Sequence, residues 1–362
     1  MTVQQRLRFC QVDQESVNAL FQDYLDSAIE EEGNEQPFVA PGTQAERDRI
    51  RSTLVSPLRS TSAASDGTVV FCTGGNGTIC SAQVRALVYL GANACIVGRN
   101  VEKTKNMAGE IAKVRPGSQV LGIGNVDVRN IATLEAAVGE CIEKLKAIDF
   151  VIAGAAGNFL APIEGLSSNA FKSVVDIDLL GSYNTVKSTM PYLLSSAARA
   201  KSTGHPTGGR IIFISATFHY TGMPYQAHVA SAKAGVDALS ATVALEYGPR
   251  GVTSNVISPG GIEGTEGLQR LSSQALRESG QASRQIPLGR YGTLQEVADA
   301  TVFLFSETGN YVTGHVLVVD GGAWRLAGLA GHSSGLTYPQ AVLGKQALPR
   351  DIETGRRPKT QL

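Results

Sequence analysis

The chain has 362 residues, 43% of them hydrophobic, and equal numbers of basic and acidic side chains, 32 of each, for a formal net charge of zero. That length carries one large α/β domain with appendages or two small domains, and the balanced charge gives no electrostatic case for nucleic acid or an anionic membrane surface as partner. No apolar stretch approaches the roughly 20 residues that span a bilayer, residues 1–10 are polar where a secretory signal is apolar, and five scattered cysteines show neither metal-ligand nor disulfide spacing.

Residues 1–65 differ in character from the rest of the chain. Val17, Leu20, Phe21, Tyr24, Leu25 and Ala28 recur at helical spacing and predict one amphipathic helix. The acidic run Glu30, Glu31 and Glu32 and the Gly/Pro/Ser/Thr-rich stretch to residue 65 read as a solvated linker. From Gly67 the pattern is regular. The run TVVFC at 68–72 predicts a buried strand, followed by a glycine-rich turn and a helix to Leu90. Further strands are predicted over 92–97, 120–124, 150–153, 210–215, 252–257 and 316–319, with a long helix over 169–194 and another over 226–247. Strands alternating with helices of this length predict an α/β fold built on a doubly wound, Rossmann-type parallel sheet. Cover on both faces explains why the strands are apolar throughout. The polar run 195–209 reads as a surface loop, and residues 329–362, Gly/Ser-rich and then basic, as a tail. The expected organisation is an extension over 1–65, one domain over 66–328 and a tail over 329–362. Cys72 and Cys95 fall inside predicted strands, as buried, reduced thiols would.

Thr73, Gly74, Gly75, Asn76, Gly77, Thr78, Ile79 and Cys80 lie between the first strand and the first helix. Glycines there let the backbone approach a pyrophosphate, and a helix N-terminus offers it unpaired N–H groups. The spacing is not G-x-G-x-x-G, and Cys80 stands where glycine is usual. The end of the second strand is where a carboxylate would bind the 2′-hydroxyl of NAD. This chain has Arg99 there and no carboxylate before Glu102. A charge-assisted contact to a 2′-phosphate contributes about 1.5–3 kcal/mol, so the expected cofactor is NADPH rather than NADH.

These residues, with motifs further along, resemble the short-chain dehydrogenase/reductase family. The matching features are the Thr-Gly-Gly turn, Asp127 and Val128, Ala155-Ala156-Gly157, Ser215, Lys233, Pro259-Gly260 and Asp320-Gly321-Gly322, in order across 67–327. Three stretches are similar, more narrowly, to the fungal-type peroxisomal 2,4-dienoyl-CoA reductases: the 73–80 turn with Ile96-Val97-Gly98-Arg99, the run Ala155 to Phe159, and the run Pro259 to Gly267. The resemblance implies NADPH-dependent reduction of a 2,4-dienoyl-CoA to a trans-3-enoyl-CoA, an auxiliary step in β-oxidation of unsaturated fatty acids, by a peroxisomal homotetramer. The final residues Thr360, Gln361 and Leu362 keep the leucine of a Ser-Lys-Leu address without its basic residue. The implied cofactor contacts are the turn from Thr73 to Ile79, Arg99, Asp127, Val128, Lys233, Pro259, Gly260, Ile262 and Thr265. The implied acyl-CoA contacts are Arg99, Arg129, Phe159, Ser167, Ser168, Asn169 and Arg270, and guanidinium suits the several phosphates of CoA. No metal is expected.

One departure matters. The family's usual pair is Tyr-x-x-x-Lys, but the residue four before Lys233 is Val229. Mitochondrial-type dienoyl reductases use a tyrosine fifteen residues before the lysine, where this chain has Phe218. Tyr220 and Tyr225 are out of register. Reducing a conjugated dienoyl thioester requires hydride delivery to the remote alkene carbon, which moves electron density onto the thioester oxygen. The later proton goes to carbon, and a water held by a side chain can supply it. Lys233 is expected at the nicotinamide ribose. Asp178, in Asp176-Ile177-Asp178 of the long helix, falls where many relatives carry an active-site asparagine, and the resemblance makes it the partner of Lys233 and the holder of that water. Ser215 either binds the thioester oxygen or caps the fifth strand. Two other readings are a reductase of 2-enoyl-CoA or carbonyl substrates and a non-catalytic NADP-binding scaffold; the missing tyrosine argues against carbonyl reduction.

Overall fold

Val69–Thr73 (β1) is a run of buried residues with no polar alternation, as a strand covered on both faces must be. Asn93–Val97 (β2), Phe150–Ala153 (β4), Arg210–Ile214 (β5) and Thr253–Pro259 (β6) are likewise buried almost throughout, and Val120–Ile123 (β3) and Val316–Val319 (β7) are the half-buried edge strands. Each lies within two residues of its expected place. The computed structural model describes residues 67–204, 208–271, 283, 286–326 and 343. The helix expected around Val17 to Ala28 and the linker after it lie outside the described residues, as does the tail apart from Leu343.

All strand pairings are parallel, in the order β3-β2-β1-β4-β5-β6-β7. The chain turns from one half of the sheet to the other between β1 and β4, and in such sheets ligands sit outside the carboxyl ends of the strands at that reversal. Alternate strand residues face opposite layers. Phe71, Val97, Val151 and Phe213 pack with Leu134, Leu193 and Val236 on one side, and Cys72, Ile96, Ile152 and Ile212 pack with Val84, Leu87 and Phe305 on the other. Each such side chain contributes about 1.5–3 kcal/mol by leaving water. Cys72 and Cys95 are fully buried and unpaired, and burial pushes the Cys72 thiol up.

The helices are Thr78–Tyr89 (α1), Val101–Ala112 (α2), Ile131–Leu145 (α3), Ser168–Val175 (α4), Gly181–Ser202 (α5), Ala227–Tyr247 (α6), Glu266–Leu271 (α7), Leu294–Phe305 (α8) and Ala323–Leu326 (α9). Capping starts several of them: Asn100 accepts from the Lys103 amide at 2.8 Å, and Thr293 with Glu296 forms a reciprocal capping box.

Two features depart from expectation. Residues 195–202, read as the start of a polar loop, are the last two turns of α5. Buried Ser196 donates to Asp149 at 2.7 Å and Arg199 pairs with the same carboxylate at 2.6 Å, so their polarity is spent on an anchor. The expected long helix is also not uniform. Asp176–Leu180, between α4 and α5, is a π turn. An extra residue per turn rotates the side chains after it, and such turns recur at functional sites.

Candidate functional site

The carboxyl end of β1 opens into a tight cradle. Gly74 has φ +68, and a Cβ there would stand 2.9 Å from the Ala155 amide nitrogen. A Cβ on Gly75 would stand 2.6 Å from the Ile96 Cβ. Gly77 caps α1 with no side-chain hydrogen bond, and the first turn carries no acidic residue. Its amides and the positive end of the helix dipole are therefore left for an anion. Asn76 donates to the Thr104 hydroxyl at 2.9 Å and fixes the turn against α2. Cys80 occupies the usual glycine position because its sulfur packs against Gly154, whose missing side chain leaves the room. A narrow backbone cradle of this kind fits a pyrophosphate.

Around its rim the expected residues gather unevenly. Arg99, at the end of β2, is exposed and among the described residues its guanidinium makes no hydrogen bond or ion pair. Asp127 accepts from Arg129 through both carboxylate oxygens, with Nε at 2.9 and 3.1 Å and Nη2 at 2.5 Å. That guanidinium, with a smaller influence from Arg99, holds the Asp127 carboxyl below its ordinary range. Val128 is buried and its carbonyl accepts from Asn184 at 2.9 Å. Ser167 caps α4, accepting from the Ala170 amide at 3.2 Å, while Ser168 and Asn169 are exposed in its first turn. Arg270 lies 3.3 Å from Glu266 on α7. At the end of β6, Pro259 leads into Gly260, whose amide donates to the Val319 carbonyl at 3.0 Å. The Thr265 hydroxyl closes the following turn on the carbonyl of buried Ile262 at 2.8 Å.

The centre is a buried ion pair. Lys233 Nζ stands 3.0 Å from Asp178 Oδ2, with the lysine side chain 8% exposed and the aspartate fully enclosed. The same Nζ donates to the Ile214 carbonyl at 2.9 Å, which ties α6 to the end of β5. Asp178 Oδ1 accepts from the Gly157 amide at 2.7 Å, so the loop after β4 is pinned to the π turn. Among the described residues Asp178 Oδ2 has no further hydrogen-bond partner, and neither has the buried Ser215 hydroxyl beside Ile214. The Ser215 amide continues the sheet to the Ile257 carbonyl at 2.9 Å.

The family described as Enoyl-(Acyl carrier protein) reductase matches residues 75–323. A peroxisomal 2,4-dienoyl-CoA reductase, (3E)-enoyl-CoA-producing, of Saccharomyces cerevisiae is 50% identical over 76% of this chain and 90% of its own. The chain belongs to the short-chain dehydrogenase/reductase family. A peroxisomal 2,4-dienoyl-CoA reductase of Danio rerio is 41% identical over 71% of this chain and 81% of its own. Among solved structures, a short chain dehydrogenase of Bacillus anthracis superposes with a TM-score of 0.58 at 33% identity, covering 71% of this chain and 96% of that one. The family is one of oxidoreductases, and its fold implies binding of a nicotinamide cofactor.

Against the family pattern, the structure carries Val229 in the tyrosine position, buried at 2% exposure. The nearby tyrosines do not replace it. Tyr220 donates to Asp237 at 3.2 Å, next to a 2.8 Å contact between His219 and the same carboxylate, and burial lifts its hydroxyl to about 12. Tyr225 is exposed, with φ +66. A cavity lined by Arg290, Glu296, Asp320 and Trp324 lies by the end of β7 and contains neither Asp178 nor Lys233. Sequence reasoning passed over three side chains close to the pair. His228 is fully buried and its ring stacks on Phe159 at 4.2 Å; Gln226 is 1% exposed and donates to the Phe159 carbonyl at 3.5 Å; and Asn158 precedes that phenylalanine. The available signal was a histidine beside the apolar stripe Val229, Ala232 and Val236 of the lysine helix.

Proposed function

We propose that this chain reduces 2,4-dienoyl-CoA thioesters to trans-3-enoyl-CoA at the expense of NADPH, consuming one proton from solvent. The observation that carries this reading is the enclosed Asp178–Lys233 pair, 3.0 Å apart, in a site whose tyrosine position is filled by a buried valine. Such a site lacks the usual donor to a carbonyl-derived alkoxide. It retains what a conjugated thioester needs, namely positive charge near a transient oxyanion and a carboxylate able to hold a water. The names of the yeast and zebrafish relatives support the same substrate class.

NADPH, when bound, supplies the hydride. Gly74, Gly75 and the amides opening α1 would hold its pyrophosphate, Arg99 its 2′-phosphate, Lys233 its ribose, and the Pro259 to Thr265 turn its nicotinamide side. The exposed guanidiniums of Arg99, Arg129 and Arg270 are suited to CoA phosphates, the last two after exchanging their present carboxylate partners. Lys233 brings positive charge to the reacting region. Asp178 holds a water that gives its proton to carbon 2, and the resulting hydroxide is neutralised from solvent. Ser215, whose hydroxyl is enclosed and unpartnered, orients the thioester. A peroxisomal location and a homotetramer belong to this proposal, as does a single catalytic domain over 66–328.

The test is a panel of 2,4-dienoyl-CoA, 2-enoyl-CoA and ketone substrates with NADPH and the purified chain. Dienoyl-CoA is expected to be the substrate turned over. Turnover of ketones or 2-enoyl-CoA in its place, or of nothing, overturns the proposal.

A further inference from the structure

We infer that the His228 imidazole donates a hydrogen bond to the thioester oxygen of the bound acyl-CoA, as a neutral member of an oxyanion site. The inference rests on the proposed function and adds a residue to it. His228 is fully enclosed in the first turn of α6, and neither Nδ1 nor Nε2 meets a partner at hydrogen-bond geometry among the described residues, the Phe159 carbonyl acting on the ring only from a looser position. Buried polar side chains are rarely left so, and an imidazole that the fold leaves unserved is one that a ligand or a water serves.

Its neighbours point the same way. Gln226 Oε1, Asn158 Oδ1 and Ser215 Oγ are also buried and without a hydrogen-bond partner among the described residues. Gln226 and Asn158 are joined to His228 through Phe159, which stacks on the imidazole and whose carbonyl accepts from Gln226. The same loop reaches the reaction centre two residues earlier, where the Gly157 amide meets Asp178. The charge of Asp178 acts on His228 directly.

Chemistry then selects the role. Burial pushes the His228 ring below its ordinary value, opposed by less from the Phe159 carbonyl and then from the Asp178 charge, so the ring enters the reaction uncharged. A neutral imidazole presents one N–H and gives up no proton when a thioester oxygen gains charge. It suits a dienolate whose proton must go to carbon rather than to oxygen. The Phe159 stack at 4.2 Å and 28° holds the ring plane before substrate arrives. The donor stands one residue before the tyrosine position, on the same helix, and supplies the hydrogen bond that Val229 cannot.

The experiment uses the full chain with 2,4-hexadienoyl-CoA carrying a ¹³C-labelled thioester carbon. It compares wild type with His228→Phe, which keeps the stack, and His228→Gln, which keeps an N–H donor. Infrared difference spectra of the bound thioester are recorded without NADPH, and turnover is measured with it. In wild type the carbonyl band is expected to shift to lower frequency on binding. In His228→Phe the shift should vanish and kcat should fall about 10²–10³-fold, the usual effect of removing one oxyanion donor, with KM little changed. His228→Gln should recover much of both. An unshifted band in a wild-type enzyme that turns over dienoyl-CoA overturns this inference alone, as does wild-type kcat in His228→Phe. A wild-type chain inactive on dienoyl-CoA overturns the proposed function with it. Should His228→Phe not fold, the wild-type band and His228→Gln decide.

Discussion

Asp178→Asn removes the charge opposite Lys233 yet keeps an oxygen for the Gly157 amide. At 3.0 Å between two enclosed side chains, and with an effective dielectric constant of about 20, the pair attract by roughly 5.5 kcal/mol. Much of that offsets the cost of taking both groups out of water, and removal of one partner from a buried pair typically costs about 3–5 kcal/mol. Asp178→Asn should fall near the lower end, because an amide oxygen can still accept from Gly157. Lys233→Met should fall near the upper end, because it leaves a carboxylate enclosed with one amide donor. The double variant buries no charge, so its cost should be smaller than the sum of the singles by about 2–3 kcal/mol, a coupling that independent sites do not show. Denaturant unfolding of all four proteins at one pH and without cofactor measures the cycle, and for Asp178→Asn the melting temperature should drop by roughly 6–12 °C. Asp178→Ala and Lys233→Ala should each abolish dienoyl-CoA reduction in a chain that still folds. Additive singles, or singles within about 0.5 kcal/mol of wild type, would refute a folded-state ion pair at the centre.

Three other outcomes rest on named contacts. Arg99→Ala should lower the kcat/KM ratio of NADPH to NADH by about 10- to 150-fold, the equivalent of one charge-assisted contact; an unchanged ratio contradicts the assignment of the 2′-phosphate to Arg99. Stability should also carry a histidine signature. The ordinary imidazole value is 6.5 and burial holds His228 below it. Below pH 6.5 the unfolded chain therefore binds a proton that the folded chain refuses, and stability falls as pH drops toward the lowered folded value. His228→Phe should flatten that part of a pH series of melting temperatures, and an unaltered slope would mean the ring protonates freely when folded. Gly75→Ala places a Cβ 2.6 Å from that of Ile96, so it should destabilise by about 1–3 kcal/mol and weaken cofactor binding in a fluorescence titration; wild-type affinity would show that the cradle yields.

The sheet was legible because its central strands leave short apolar runs between helical stretches, and runs of this kind mark β1 to β7 within two residues even where β6 opens on buried Thr253, Ser254 and Asn255 and the edge strands β3 and β7 are half-buried. The 195–202 segment was not, because Ser196 and Arg199 look solvated until Asp149 is seen to hold them. The π turn at Asp176–Leu180 leaves no composition signal, since its extra residue is a property of backbone geometry. In the candidate site the lysine, the aspartate and the glycine turn follow from spacing and resemblance. Arg129 and Arg270 were anticipated as phosphate ligands, yet both stand against carboxylates. His228 escaped notice because one histidine beside an apolar stripe reads as core. That its ring nitrogens lack partners at hydrogen-bond geometry among the described residues is a property of the fold and has no sequence signal.

Reduction of a 2,4-dienoyl-CoA by NADPH in D₂O, with the product read by NMR, tests the account most directly. A side-chain-held water that protonates carbon 2 predicts a 3-enoyl thioester with one deuterium at carbon 2 and none at carbon 5, formed by wild type and not by Asp178→Ala. A 2-enoyl thioester with deuterium at carbon 4, or undiminished product from Asp178→Ala, would contradict it.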